Sequence, residues 1–319
     1  MNTGYGSFLT KIIKFNEDLL LKYSISNYGN FRIEKEITFY KNIIINNIQF
    51  PMPKIYNNTN NSNNSNNSFY IEYLKDYITC EEYLKNNKNN QNNIINIINN
   101  NLIKLHEKSK IVSLDVFEED LKLETYKKIH SRINEIQSII DKYSFIESVN
   151  NFKILDIHSI VNFIERYVDN FINSYKSTDN NYVYYPVHGD IQLNNILINS
   201  QNLDIKFIDP RGFFGNTMFY GMKEYDYAKL YFGLGGYSYF DIKNVTTLDI
   251  SDNNINIDID DNKHKEYDYD DINITNIFII CIWLGNAHCF KTNENKLIES
   301  YFYALYIASK FIKLNYIQI

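Results

Sequence analysis

The sequence predicts an α+β protein in which a strand-rich part, residues 1–74, is followed by a larger helical part, residues 75–319. Three observations predict it. Residues 8–74 alternate short β-branched and aromatic runs with a single amphipathic helix pattern. Further on, Glu124 to Tyr143 and Ser159 to Tyr175 read as long helices free of proline and glycine. Between the helical stretches, residues 183–212 change period and read as a strand, a turn and a β-hairpin.

The 319 residues suffice for a sizeable core and two lobes. Hydrophobic content of 44% with a net charge of −6 points to a soluble globular chain and away from nucleic acid. Cys80, Cys281 and Cys289 show no pairing pattern and no metal-ligand spacing with the histidines, which predicts a reducing, cytoplasmic setting. Neither a signal-peptide layout nor a run of eighteen apolar residues occurs, so no membrane insertion is expected. Only four of the 32 basic residues are arginines, so any bidentate clamp on a phosphate has few candidates. Asparagine, isoleucine, lysine and tyrosine are used heavily throughout, as an AT-rich coding sequence would produce.

Taken in order, the chain opens with Gly4, Gly6 and Ser7. Glycine tolerates the backbone angles that let successive N–H groups approach a phosphate. The apolar runs Phe8–Ile13 and Asp18–Tyr23 follow as two strands, with Lys22 at the end of the second. Phe31–Ile45 reads as an amphipathic helix with Ile33, Ile37, Tyr40 and Ile44 on one face, and it carries Glu36 and its competitor Glu34. Residues 57–68, an Asn- and Ser-rich tract, are expected as a disordered surface insert because they have nothing apolar to bury. Phe69–Leu74 resumes as a strand.

Cys80–Leu84 begins a helix that a second Asn-rich tract, Asn86–Asn93, interrupts. Ile94, Ile98, Leu102 and Leu105 then form a helical stripe ending at Leu105-His106-Glu107, where His106 reads as a partly buried helix residue. Asp226 reads as the N-cap of a helix running through Leu230. Residues 241–275 are rich in Asp and Asn; an EF-hand would need its glycine and terminal glutamate in register, and both are missing, so a solvated insert is expected. Ile277–Leu284 and Asn295–Leu314 read as closing helices, and Trp283, His288 and Phe290 suit either an acceptor site or the core.

The chemistry concentrates between Val183 and Asp209. Val183–Val187 reads as a strand entering the turn His188-Gly189-Asp190. Asn195 opens a short strand, Ile196–Ile198. The turn Asn199–Asn202 and the strand Ile205–Ile208 then return antiparallel and bring Asp209 back beside Asn195. One carboxylate and one amide carbonyl suit a hard cation such as Mg²⁺ that keeps phosphate oxygens as ligands. Asp190, just before the hairpin, is placed to take a proton from an attacking hydroxyl.

This register of His188, Asp190, Asn195 and Asp209 resembles the kinase-like phosphotransferases of the aminoglycoside phosphotransferase and choline kinase family. Asp209-Pro210-Arg211-Gly212 and Tyr225–Leu230 look like its capsule- and carbohydrate-associated branch. The resemblance implies a bilobal protein-kinase-like fold using ATP and Mg²⁺. It implies Asp190 as catalytic base, His188 as a brace of the loop, and Asn195 and Asp209 as metal ligands. It also implies Lys22 on the nucleotide phosphates, Glu36 holding Lys22, the loop of Gly4, Gly6 and Ser7 over the phosphates, and a hinge between Glu72 and Leu74 whose backbone holds adenine. Arg211 either anchors a phosphate or pairs with an acidic neighbour such as Asp226. The acceptor implied is a small-molecule hydroxyl, first a sugar or sugar-like alcohol, then choline, ethanolamine or an aminoglycoside. A nucleotide-binding pseudokinase and a protein kinase are the competing readings.

Overall fold

The computed structural model describes residues 9–57, 67–176, 182–258 and 273–316. The glycine loop, residues 58–66 of the 57–68 tract and residues 259–272 of the acidic insert lie outside them. The chain divides into two compact units, residues 1–110 with 183–226, and residues 111–182 with 227–319.

The first unit begins with β1 (Thr10–Lys14), β2 (Leu19–Ser24), α1 (Asn27–Ile45), β3 (Ile55–Asn57) and β4 (Ser68–Glu72). Their sheet has the order β1-β2-β4-β3 and is antiparallel throughout. Lys22 on β2 stands opposite Ile12 on one side and Phe69 on the other. Helix α1 starts four residues earlier than the apolar pattern suggests, because the Ser26 hydroxyl accepts from the Gly29 N–H at 3.0 Å and caps the first turn. Its buried face is Ile33, Glu36, Phe39, Tyr40 and Ile43, with Ile33, Phe69 and Ile71 forming a core against the sheet. Ile44, expected on that face, is 74% exposed. The buried stripe advances 33, 36, 40, 43, and Ile44 lies a further 100° around the helix.

After β5 (Tyr77–Thr79) come α2 (Cys80–Asn86) and α3 (Gln91–Leu105). Ile94, Ile98, Leu102 and Leu105 are all fully buried, as their spacing predicts. Strand β6 (Lys110–Val112) closes this segment.

In the second unit, α4 (Leu114–Glu124) and α5 (Tyr126–Ile140) are separate helices. The break falls at Thr125, whose φ of −112° and ψ of −115° are non-helical and whose hydroxyl donates to the Leu121 carbonyl at 2.6 Å. Two short strands, β7 (Ser148–Val149) and β8 (Phe152–Lys153), precede α6 (Ile157–Lys176).

The first unit resumes in β9 (Tyr182–Pro186), β10 (Ile196–Asn199), β11 (Ile205–Phe207), β12 (Phe213–Phe214), β13 (Thr217–Met218) and β14 (Tyr220–Gly221). The hairpin is the expected one: Ile196 pairs with Phe207 and Ile198 with Ile205, antiparallel, and β5 adds a third strand through Thr79 opposite Leu197. Its turn is held by side chains, Asn199 Oδ1 accepting from the Gln201 N–H and Asn202 Oδ1 from the Asp204 N–H, both at 2.9 Å. Ile196, Ile198, Ile205 and Phe207 are buried, each contributing about 1.5–3 kcal/mol relative to exposure.

Helix α7 (Lys223–Phe232) is followed, across a kink at Gly236 where φ is +99°, by α8 (Ser238–Ile242). Part of the expected solvated insert is ordered in the second unit as β15 (Asp249–Ser251) and β16 (Asn254–Asn256), in a four-stranded sheet of order β15-β16-β7-β8. The closing helices are α9 (Ile274–Asn286) and α10 (Glu294–Tyr316). Trp283 is fully buried among Phe232, Phe240 and Tyr303, with ring centroids 4.6–5.7 Å away, so its role is packing. No described helix is long and apolar enough to cross a membrane.

Candidate active site

The site is built entirely within the first unit, from β2, α1, the turn after β9 and the two ends of the β10–β11 hairpin. It begins with the turn His188-Gly189-Asp190. Gly189 sits at φ +77°, and a Cβ there would come within 3.0 Å of the Arg211 Cβ, so glycine is needed for both conformation and space. The His188 carbonyl accepts from the N–H groups of Arg211 and Gly212 at 2.8 and 3.1 Å, tying the turn to the segment beyond Asp209.

His188 itself is fully buried, edge-on to Phe39, Phe50 and Phe207 at 5.9–6.3 Å. Burial lowers its pKa, so the ring is neutral near pH 7. Its Nδ1 faces the Asp190 N–H at 3.3 Å and is therefore the acceptor, which places the ring proton on Nε2. A neutral, packed imidazole holding the next backbone amide is a brace rather than an acid–base group.

Asp190 is half-buried. The Asn195 amide reaches back to it, Nδ2 donating to both the Asp190 carbonyl and Oδ2 at 3.0 Å. With Nδ2 committed in this way, Asn195 Oδ1 is turned away from Asp190 as the atom left to meet a cation. Asp209 follows β11, and the Ile208 N–H donates to the Asn195 carbonyl at 3.0 Å, so the hairpin sets the two residues side by side. Asp209 holds a left-handed φ of +58°, an uncommon conformation for a residue other than glycine and one that Asp tolerates better than most.

Across the sheet, Lys22 Nζ donates to Glu36 Oε2 at 2.7 Å and to Asp209 Oδ1 at 2.6 Å. The second contact joins residues 187 positions apart. Of the two glutamates weighed on α1, Glu36 faces inward and Glu34 is exposed. Burial alone would lower the Lys22 pKa, but Asp209 and Glu36 reverse this and raise it. Burial pushes the Glu36 carboxyl up to about 7, against the pull of Lys22. Glu36 Oε1 and the Tyr40 hydroxyl one turn along are both buried with no hydrogen-bond partner among the described residues. If Lys22 holds a nucleotide through Glu36, nucleotide affinity falls as pH drops through about 7, because Glu36 gains its proton there. A nucleotide KM profile with that acid limb in the wild type, flattened in Glu36→Gln, is the expected result; a profile unchanged by the substitution contradicts it.

Asp209 and Asn195 fit a hard cation by donor chemistry, both offering oxygen. Among the described residues no group of three or more His, Cys, Asp or Glu could hold a metal alone. Glu72 and Leu74 lie at and just beyond the end of β4, and the Glu72 and Tyr73 N–H groups are already committed to the Lys54 and Asp18 carbonyls, at 2.9 and 2.7 Å.

Two residues with a structural hold on this loop were assigned other roles from the sequence. Asp226 lies inside α7, which begins at Lys223, and so is not its N-cap. Its carboxylate is fully buried and accepts from the backbone N–H groups of His188 at 3.0 Å and Gly189 at 2.6 Å. His106, at the C-terminus of α3, places Nε2 3.1 Å from the same carboxylate. The signal available in the sequence was an Asp and a His inside otherwise apolar helical stripes, where an ionisable group has to be paired to be buried. The Arg211 guanidinium lies 4.0 Å over the Phe213 ring and donates to the Tyr225 hydroxyl at 3.0 Å.

No protein-family model and no curated protein matches the sequence. Solved structures resemble the chain at low identity. The complex of aminoglycoside phosphotransferase APH(2")-IIa with gentamicin shares 15% identity over 95% of this chain and 90% of that chain, with a TM-score of 0.48. The streptomycin–ATP complex of the same enzyme shares 18% over 69% of this chain and 66% of that one, with a TM-score of 0.42. Choline kinase LicA from Streptococcus pneumoniae shares 13% over 94% and 89%, with a TM-score of 0.47. What this chain does is therefore to be read from its own residues, Asp190, Asn195, Asp209, Lys22 and Glu36.

Proposed function

We propose that the chain is a phosphotransferase that moves the γ-phosphate of ATP to a hydroxyl of a small molecule, a sugar or sugar-like alcohol being the first candidate. One observation carries the reading: Lys22 bridges Glu36 and Asp209 at 2.7 and 2.6 Å, in the same unit where Asn195 is hydrogen-bonded to Asp190. That arrangement supplies a fixed ammonium for nucleotide phosphates, two oxygen donors for Mg²⁺, and a carboxylate beside them for the attacking hydroxyl. Phosphoryl transfer asks little else of a protein, since positioning and charge stabilisation supply most of the rate.

In this mechanism Asp190 orients the acceptor hydroxyl and takes its proton as the bond to the γ-phosphorus forms and the bond to the β–γ bridging oxygen breaks, releasing ADP. The Asn195 amide fixes the Asp190 rotamer through Oδ2, and His188 and Asp226 hold the turn that carries it. Lys22 draws the phosphates into register, and Glu36 keeps Lys22 extended. A divalent cation held by Asp209 and Asn195 Oδ1 would neutralise phosphate charge.

The test is ATP consumption with Mg²⁺ across sugars, choline, ethanolamine and aminoglycosides. Acceptor-dependent ADP release is expected for one class, and a folded, nucleotide-binding protein inert across an exhaustive hydroxyl panel favours a pseudokinase instead.

A further inference from the structure

Lys22 is held by two carboxylates, the buried Glu36 at 2.7 Å and Asp209 at 2.6 Å. The second contact also acts on Asp209. The Lys22 ammonium sits 2.6 Å from Oδ1, while the Asp209 side chain is 39% exposed and so open to ions from solvent. Lys22 is anchored from the other side at 2.7 Å, in a β2 strand paired on both edges, and cannot drift off cheaply. A divalent ion approaching Asp209 without a nucleotide meets a fixed positive charge already on its ligand. A nucleotide changes this, because its phosphates give the ammonium another anionic partner and give the metal further oxygens.

Resting on the metal and nucleotide roles proposed above, we propose that Lys22 is a latch on the metal-binding carboxylate: it keeps free divalent cations off Asp209 until nucleotide phosphates draw the ammonium away. The protein then takes its metal with the nucleotide and does not accumulate bare metal at the site. Asn195 does not compensate, since its Nδ2 is spent on Asp190 and a lone Oδ1 is a weak ligand.

The test needs no acceptor and no turnover. Mn²⁺ binding to the full chain is followed by electron paramagnetic resonance without nucleotide, in the wild type, Lys22→Met, Lys22→Gln and Lys22→Met with Asp209→Asn. Removing a cation beside a metal ligand relieves repulsion of the metal, and the gain is greatest where the cation sits on the ligand itself, as Lys22 does on Asp209. The expected result is Mn²⁺ binding tighter by about tenfold or more in Lys22→Met, as charge interaction over a few ångströms at a partly exposed site would give. The gain is expected to vanish in the double variant. Lys22→Gln keeps an amide donor for Glu36, and serves if the methionine variant folds poorly. Affinity no tighter than wild type in a folded Lys22 variant, or a gain that survives Asp209→Asn, overturns the latch. A parallel titration with a non-hydrolysable ATP analogue separates the two ideas: absence of nucleotide binding to the wild type counts against the phosphotransferase, whereas the Mn²⁺ comparison alone decides the latch.

Discussion

Replacing Asp190 with alanine is expected to lower kcat by about two to four orders of magnitude, the range spanned by a positioned general base, while the protein stays folded. The expectation follows from where the side chain sits. Asp190 is half-buried at the mouth of a turn whose conformation is set by other groups, namely Gly189, the Asp226 carboxylate and the His188 carbonyl. The substitution removes the hydrogen bond from Asn195 Nδ2 to Oδ2, worth about 1 kcal/mol of stability. Asn195 Nδ2 keeps its bond to the Asp190 backbone carbonyl, which the variant retains. Nucleotide KM should change little, since Lys22, Glu36 and Asp209 are untouched. Steady-state kinetics with thermal melts check this; a folded Asp190→Ala protein with unchanged turnover removes Asp190 from the mechanism.

Asp226→Ala is expected to fail in the opposite way, through the fold. It leaves two buried backbone N–H groups without acceptors and takes a carboxylate from beside His106. A buried N–H left without an acceptor costs about 1–3 kcal/mol, so the pair amounts to a large share of a domain's stability. Asp226→Asn retains one acceptor oxygen for those N–H groups and should recover part of the loss. Its kcat should nevertheless fall, because the turn carrying Asp190 is held on one acceptor instead of two. Denaturant unfolding measured beside kcat separates the terms: a wild-type midpoint for Asp226→Ala would mean that the loop does not depend on this carboxylate.

The hairpin and the helical stripes were legible in the sequence because their signals are local and repeated. Ile196 to Phe207 alternates around an Asn-rich turn whose side chains cap their own backbone, and Ile94, Ile98, Leu102 and Leu105 keep strict helical spacing. The placing of Asn195 beside Asp209 was legible for the same reason, since the two flank one hairpin, with Asp190 just before it. What stayed hidden depends on distance along the chain. Asp226 serves a turn 37 and 38 residues upstream, and an Asp before an apolar run looks like a cap whether or not the helix has already begun. The link from Lys22 to Asp209 spans 187 residues and leaves no periodic trace. Strands of two or three residues, such as Ser148–Val149 and Asn254–Asn256, are too short to show alternation, so the first lay in a stretch read as helical and the second in one read as solvated insert. Ile44 shows the limit of a face drawn by eye, one residue being enough to move a side chain from core to solvent.

The most direct measurement is phosphorus NMR of a reaction holding the protein, Mg²⁺, ATP and the acceptor that stimulates ADP release. The account predicts a new phosphate monoester on the acceptor, accumulating one-to-one with ADP and absent with Asp190→Ala. ADP formed together with free inorganic phosphate and no monoester, or a monoester formed equally well by Asp190→Ala, would contradict it.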